Sequence, residues 1–170
     1  TYRAEKPLTA IFDGGICEGK AVLVLRGRGA VVDGLVFENL RVPDGNGAGI
    51  RIEKGSLSVT RSIFRDSEEG ILGGGDDPAA DIRIDRSTFS GLGRCDRGLA
   101  CAHSIYLSAF RSVTRTRTRS FGPRTAPVMG PPGAATWATR RTGRPSGSAV
   151  IGSAAPSSGS TCRWPAVQSA

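Results

Sequence analysis

Along residues 20 to 114, apolar side chains recur at every second position in short runs that stop at Gly, Asp or Pro. A spacing of two is the period of a strand with one buried face, whereas a helix places apolar residues three and four apart. Two kinds of run alternate. In one kind AVVDGLVF, LSVTRSIF and IRIDRSTF superpose, so that Ala30, Leu57 and Ile82 precede Val32, Val59 and Ile84, and the segments end on Phe37, Phe64 and Phe89. These phenylalanines are 27 and 25 residues apart. In the other kind Val22, Ile50, Ile71 and Ile105 take equivalent places, 28, 21 and 34 residues apart. Repeats of this length are the signature of a solenoid, in which no rung can bury its apolar face alone. The abundant glycines and β-branched residues favour strands and tight turns over helices. The pattern therefore predicts an all-β chain, a parallel β-helix of about four rungs with like residues stacked about 4.8 Å apart.

The pattern breaks near its end. Aligning Leu57, Ile82 and Val113 puts Arg115 in the column of Val59 and Ile84, and Ser120 in the column of Phe64 and Phe89. The expected organisation is a β-helix domain over residues 1–112 and a basic low-complexity tail over 113–170. Charge follows the same division. Residues 1–110 hold 14 Lys/Arg and all 15 Asp/Glu, a net charge of −1, so the +8 of the whole chain comes from the residues beyond them, where nine Arg meet no Asp, Glu or Lys. Of the last 60 residues, 49 are Arg, Pro, Gly, Ala, Ser or Thr, too few large apolar groups to offset the entropy of ordering the chain. The tail is expected to be mostly disordered. Its arginines suit only non-specific contact with nucleic acid, because Phe121, Trp137 and Trp164 are too isolated to form a stacking platform.

The segments ICEGKAVLVLRG, VVDGLVFENLRVPDGNGAGIRIEKG, LSVTRSIFRDSEEGILGG, IRIDRSTFSGLG and HSIYL together resemble the right-handed parallel β-helix proteins of the pectate-lyase-like superfamily, over residues 10 to 114. That resemblance implies a polysaccharide-processing, lyase-like or carbohydrate-binding protein with a periplasmic or secreted location, although the chain opens on TYRAEKP without a signal peptide. The same superfold hosts non-catalytic surface proteins, so a structural β-helix is the alternative. Further rungs normally follow the strand equivalent to HSIYL, and SVTRTRTRSFGP stands there instead. A chain cut short in this way is expected to be inactive, and its uncovered last rung to promote self-association. No run approaches the roughly 18 apolar residues of a membrane span, so a membrane partner is not expected.

If Ile50, Ile71 and Ile105 face inward, alternation turns Arg51, Leu72 and Tyr106 outward on one sheet, with Leu23 below them. The resemblance implies that an extended polysaccharide lies along such a face, which makes Arg51 and Tyr106 the substrate-binding candidates. Arginine offers a planar fork that fits a carboxylated sugar. The plainer role for Arg51 is an ion pair with Glu53 or Glu38, and for Tyr106 a cover over the sheet. His103, the single histidine, is the catalytic candidate as a general acid or base, and equally a turn residue bonded to loop backbone. No G-x-S-x-G elbow accompanies it.

Metal chemistry has thinner support. Cys95, Cys101 and His103, with Asp96, do not follow usual zinc-ligand spacing, and a Cys95–Cys101 disulfide or two free thiols are the alternatives. Carboxylates gather at Asp66, Glu68 and Glu69 and at Asp76, Asp77 and Asp81. The resemblance implies that Ca²⁺ could bridge such groups to a uronate, but only if they converge on the Arg51 and Tyr106 face. GGGDDP and VPDGNGAG read first as turns, and the latter lacks phosphate-loop spacing.

A shifted reading frame from about residue 113 would account for the Arg, Pro, Ala and Gly of the tail, since GC-rich codons encode them; a genuine low-complexity linker is the alternative. Under the first account, another forward frame of the gene continues the L-x-V strand pattern. Sequencing the nucleotides for residues 105–170 checks this, and three frames without strand periodicity would refute it.

Overall fold

The computed structural model describes residues 1–74, 77–93, 102–121 and 168–169. Each turn of the chain contributes one strand to each of three sheets. The first turn is β1 (Tyr2–Arg3), β2 (Ala10–Asp13) and β3 (Ala21–Leu25). The second is β4 (Gly29–Asp33), β5 (Leu35–Glu38) and β6 (Ala48–Ile52), and the third β7 (Ser56–Thr60), β8 (Ile63–Arg65) and β9 (Glu69–Gly73). The fourth is β10 (Asp77–Asp85), β11 (Thr88–Ser90) and β12 (Ile105–Leu107), followed by β13 (Phe110–Thr116) and β14 (Arg119–Phe121). Strands stack in the orders β1-β4-β7-β10-β13, β2-β5-β8-β11-β14 and β3-β6-β9-β12, all parallel. Gln168–Ser169 (β15) adds an antiparallel strand beside β2. The fold is a β-solenoid of about four turns, and no helix occurs among the described residues.

One aromatic column runs through the interior. Phe12, Phe37, Phe64 and Phe89 stack with ring centroids 5.4, 4.8 and 4.7 Å apart and planes within 15° of parallel. That spacing matches the distance between strands, so rings in register are held face to face by the backbone ladder itself. Glycine makes room for them. A Cβ on Gly49 would lie 2.7 Å from Phe64 Cδ1, and one on Gly70 2.8 Å from Phe89 Cδ1. Beside the rings, Val32, Val59 and Ile84 form one fully buried column, and Leu23, Ile50, Ile71 and Ile105 another.

The register of Ala30–Leu57–Ile82 and of the phenylalanines agrees with the sequence repeats. At β3 it does not. Leu23, not Val22, pairs with Ile50, and Val24, not Leu23, lies in the outward column with Arg51. The AVLVL run is apolar at every position, so alternation could not mark its faces, and Val22, Leu23 and Leu25 all enter the core.

The turn between the first and second sheets repeats from rung to rung. Gly34, Arg61, Arg86 and Arg117 occupy it with φ of +69°, +48°, +47° and +45°. The next residue's hydroxyl then ties the turn: Ser62 donates to the Thr60 carbonyl, Ser87 to that of Asp85, and Thr118 to that of Thr116, at 2.9 to 3.0 Å. Ser62 Oγ and Ser87 Oγ also accept the backbone N–H of Leu35 and Ser62 in the rung before. Left-handed backbone is uncommon for arginine, and this paired bonding holds it. The parallel pairing thus continues past the expected end at Ser112, with Ile82 opposite Val113, Ile84 opposite Arg115 and Phe89 opposite Ser120. Thr116-Arg117-Thr118 keeps the turn chemistry of Thr60-Arg61-Ser62, while the inward positions 115 and 120 lose their apolar residues. Apart from Gln168–Ser169, which pair with β2, the rest of the expected disordered tail lies outside the described residues.

Phe64→Ala removes a ring from the middle of the column and leaves a cavity that two neighbouring rungs share. It is expected to cost about 3–5 kcal/mol in urea unfolding, against about 0.5 kcal/mol or less for Ser58→Ala on the outer face of β7.

Candidate functional site

The outer face of the β3-β6-β9-β12 sheet carries two neighbouring columns of interest. In the first, Val24 pairs with Arg51, Arg51 with Leu72, and Leu72 with Tyr106. In the second, Ala21 pairs with Ala48 and Ala48 with Glu69. His103, two residues before Ile105 as Glu69 is two before Ile71, comes next to Glu69, and its backbone N–H donates to the Glu69 carboxylate. Ala21, Ala48, Leu72, Val24 and Tyr106 form an apolar cluster separate from the interior core. The imidazole of His103 lies 5.4 Å from the Tyr106 ring, tilted by 49°. The fold thus brings Arg51, Tyr106 and His103 onto one face. Alternation about Ile50 and Ile105 turns Arg51 and Tyr106 outward. His103 joins them because two successive positions, Gly49–Ile50 and Gly70–Ile71, face inward in the preceding rungs.

The expected ion pairs of Arg51 do not form. Glu53 is held by Lys20 and Arg26 at 2.6 Å each, and Glu38 by Arg65 at 2.5 Å. Hydrogen bonds from Lys20 and Arg26 keep the Glu53 carboxyl below the usual range. Arg51 Nε is buried without a hydrogen-bond partner, and so is Glu69 Oε2. Their charges interact, yet the two side chains do not close an ion pair.

Glu69 is the member of this site that pattern reading passed over, having grouped it only with possible calcium ligands. Extending the Ile50–Ile71–Ile105 alignment two residues upstream would have placed it beside His103. It is 5% exposed, and burial pushes its carboxyl up to about 7. The His103 N–H and the Arg51 charge oppose that rise, while Glu68 and Asp44 add to it. A carboxylic acid that exchanges its proton near neutrality is suited to acid–base work or to proton-coupled binding.

The other carboxylates do not converge there. Glu68 Oε2 accepts the N–H groups of Val42 and Gly47 at 2.9 and 2.8 Å, which pins the loop before β6. Asp77 accepts from Gly55 N and Ala79 N, and Asp81 pairs with Arg111 and Ser112. Asp66 is a left-handed turn residue with φ +49°, next to Gly91 of the following rung. Among the described residues no group of three or more His, Cys, Asp or Glu side chains gathers. Asp76, Asp96, Cys95 and Cys101 lie outside the described residues, and with them the zinc and Cys95–Cys101 readings. Cys17 is disulfide-bonded, which sequence spacing did not anticipate. Among the described residues no helix is long and apolar enough to cross a membrane.

Because Glu69 binds its proton more tightly when folded, native stability is unaffected below the unfolded carboxyl range, falls as pH rises, and bears the full cost above about 7. The span from an unfolded value of 4.5 corresponds to a penalty on the order of 3 kcal/mol. Glu69→Gln is expected to remove this slope and to gain stability at about pH 8 relative to about pH 5, as read by urea unfolding at the two values.

Compared with known proteins, the chain matches no family model, no curated protein and no solved structure. What is established is the fold, a parallel β-solenoid of about four turns.

Proposed function

We propose that the chain is a carbohydrate-handling β-solenoid that takes an acidic saccharide along the outer face of the β3-β6-β9-β12 sheet. The observation that carries this reading is the state of Arg51. It stands on a sheet face with Glu53 and Glu38 engaged by other cations, and it closes no ion pair with Glu69. A guanidinium in that position offers two parallel hydrogen bonds to a sugar carboxylate. Two strand spacings along the same column, about 10 Å away, Tyr106 presents a ring suited to the apolar face of a pyranose, with Leu72 between them. His103, partly exposed beside Tyr106, is the group placed to exchange a proton with a bound sugar. A lyase-like reaction would use His103 in that way.

The burial of Glu69 favours a second reading, a binding face without turnover. Its carboxyl lies under the surface instead of at the place where a reacting atom would sit.

Titration of the full chain with tri-galacturonic acid tests both. Binding accompanied by growing ultraviolet absorbance from unsaturated uronate identifies a lyase, and binding without it a recognition module. Arg51→Ala is expected to weaken binding about tenfold or more, since hydrogen bonds between charged groups contribute about 1.5–3 kcal/mol. Tyr106→Ala is expected to weaken it less. Unchanged affinity in both variants would remove this face from consideration.

A further inference from the structure

We infer that Glu69 and the ligand compete for Arg51, so that this face takes up a proton when it binds an anionic saccharide. The inference rests on the proposed saccharide reading and adds to it how the site is regulated. Its basis is the geometry of two unsatisfied atoms. Arg51 Nε on β6 and Glu69 Oε2 on β9 are both shielded from water and both lack a hydrogen-bond partner. They stand on adjacent strands of one sheet face, close enough for their charges to interact and without an ion pair. Buried polar atoms left open in this way are costly, and a group that satisfies one of them gains that free energy on arrival.

The charges around Glu69 set the direction of the coupling. Arg51 from β6 is the cation that favours the carboxylate, assisted by the backbone N–H of His103 before β12. Glu68, next to Glu69 in the chain, and Asp44, in the loop between β5 and β6, disfavour it. A uronate bound to Arg51 cancels the one favourable charge and adds a third negative one nearby. Glu69 then holds its proton. Conversely, an ionised Glu69 attracts the Arg51 guanidinium and repels the incoming uronate, so ligand affinity falls as Glu69 loses its proton. The Tyr106 phenol and the His103 imidazole are the other titratable groups beside Glu69 on the face, and a protonated imidazole would also favour an anion. The test must separate Glu69 from His103.

Calorimetric titration of the full chain with tri-galacturonic acid, from about pH 5.5 to about pH 8.5, reads the coupling directly. The uronate stays ionised throughout. Affinity is expected to hold level at the acidic end and to fall toward tenfold per pH unit once Glu69 ionises. Repeating the titration at about pH 8 in phosphate and in Tris, whose ionisation enthalpies differ, is expected to show uptake approaching one proton per saccharide bound. Glu69→Gln should bind with an affinity independent of pH and without proton uptake, whereas His103→Gln should keep both effects. The buffer comparison needs no variant, so it stands even if Glu69→Gln fails to fold. Binding without proton uptake in the unaltered chain would overturn this inference and leave the saccharide reading intact. So would a pH dependence that survives Glu69→Gln and vanishes in His103→Gln. Absence of binding at every pH would overturn both.

Discussion

The stack of Phe12, Phe37, Phe64 and Phe89 is the constraint on which the rest of the molecule depends. In a parallel ladder a slip of one residue turns every side chain of a strand to the opposite face. Backbone hydrogen bonds alone do not forbid such a slip, because each register offers the same bonds. The rings do forbid it. A displaced strand would leave its phenylalanine outside and put a polar neighbour such as Arg65 or Ser90 in a space shaped for an aromatic plane. With the second sheet fixed in this way, short connections carry the register to the other two. Arg51, Leu72 and Tyr106 then have no choice but to share a column on the outside.

Electrostatics on the outer surface follow the same geometry. Strands about 4.8 Å apart place like positions of successive rungs in direct contact, so identical charges there would repel. One column reads Arg3, Asp33, Thr60, Asp85, Thr116. Each aspartate is flanked by a cation or a hydroxyl: Thr60 and Arg61 bond to Asp33, and Thr116 and Arg86 to Asp85. Burial would raise the Asp33 carboxyl, but the hydrogen bonds from Arg61 and Thr60 outweigh it and hold it below its usual range. Glu69 is the contrast. Its neighbours in register are alanine and backbone, and nothing offsets its loss of water to the same degree.

Much of this was legible in the sequence wherever apolar and polar residues alternate. AVVDGLVF, LSVTRSIF and IRIDRSTF align as the strands do, and even Arg115 and Ser120 fall opposite Ile84 and Phe89 as that alignment requires. Uniformly apolar AVLVL carried no such information, which is why its register was off by one. The first two strands, β1 and β2, escaped the alignment because they are short and Phe12 stands at the head of a loop-like DGG. On the functional face, alternation identified Arg51 and Tyr106. It could not show that Glu53 and Glu38 would be taken by other cations, since Lys20, Arg26 and Arg65 meet them only across rungs. Nor could it show that Glu69 would lose its water.

The alternation of acid and hydroxyl along the Arg3–Thr116 column bears on how such an array can lengthen. Tandem duplication of the single rung that carries Asp33 would set two carboxylates one strand spacing apart, with no hydroxyl between them. Duplicating a pair of adjacent rungs together preserves the alternation. The unit by which this solenoid grows with its charge pattern intact is thus larger than the unit by which it repeats in shape. Its charge pattern has a period of two turns, laid over a backbone whose period is one.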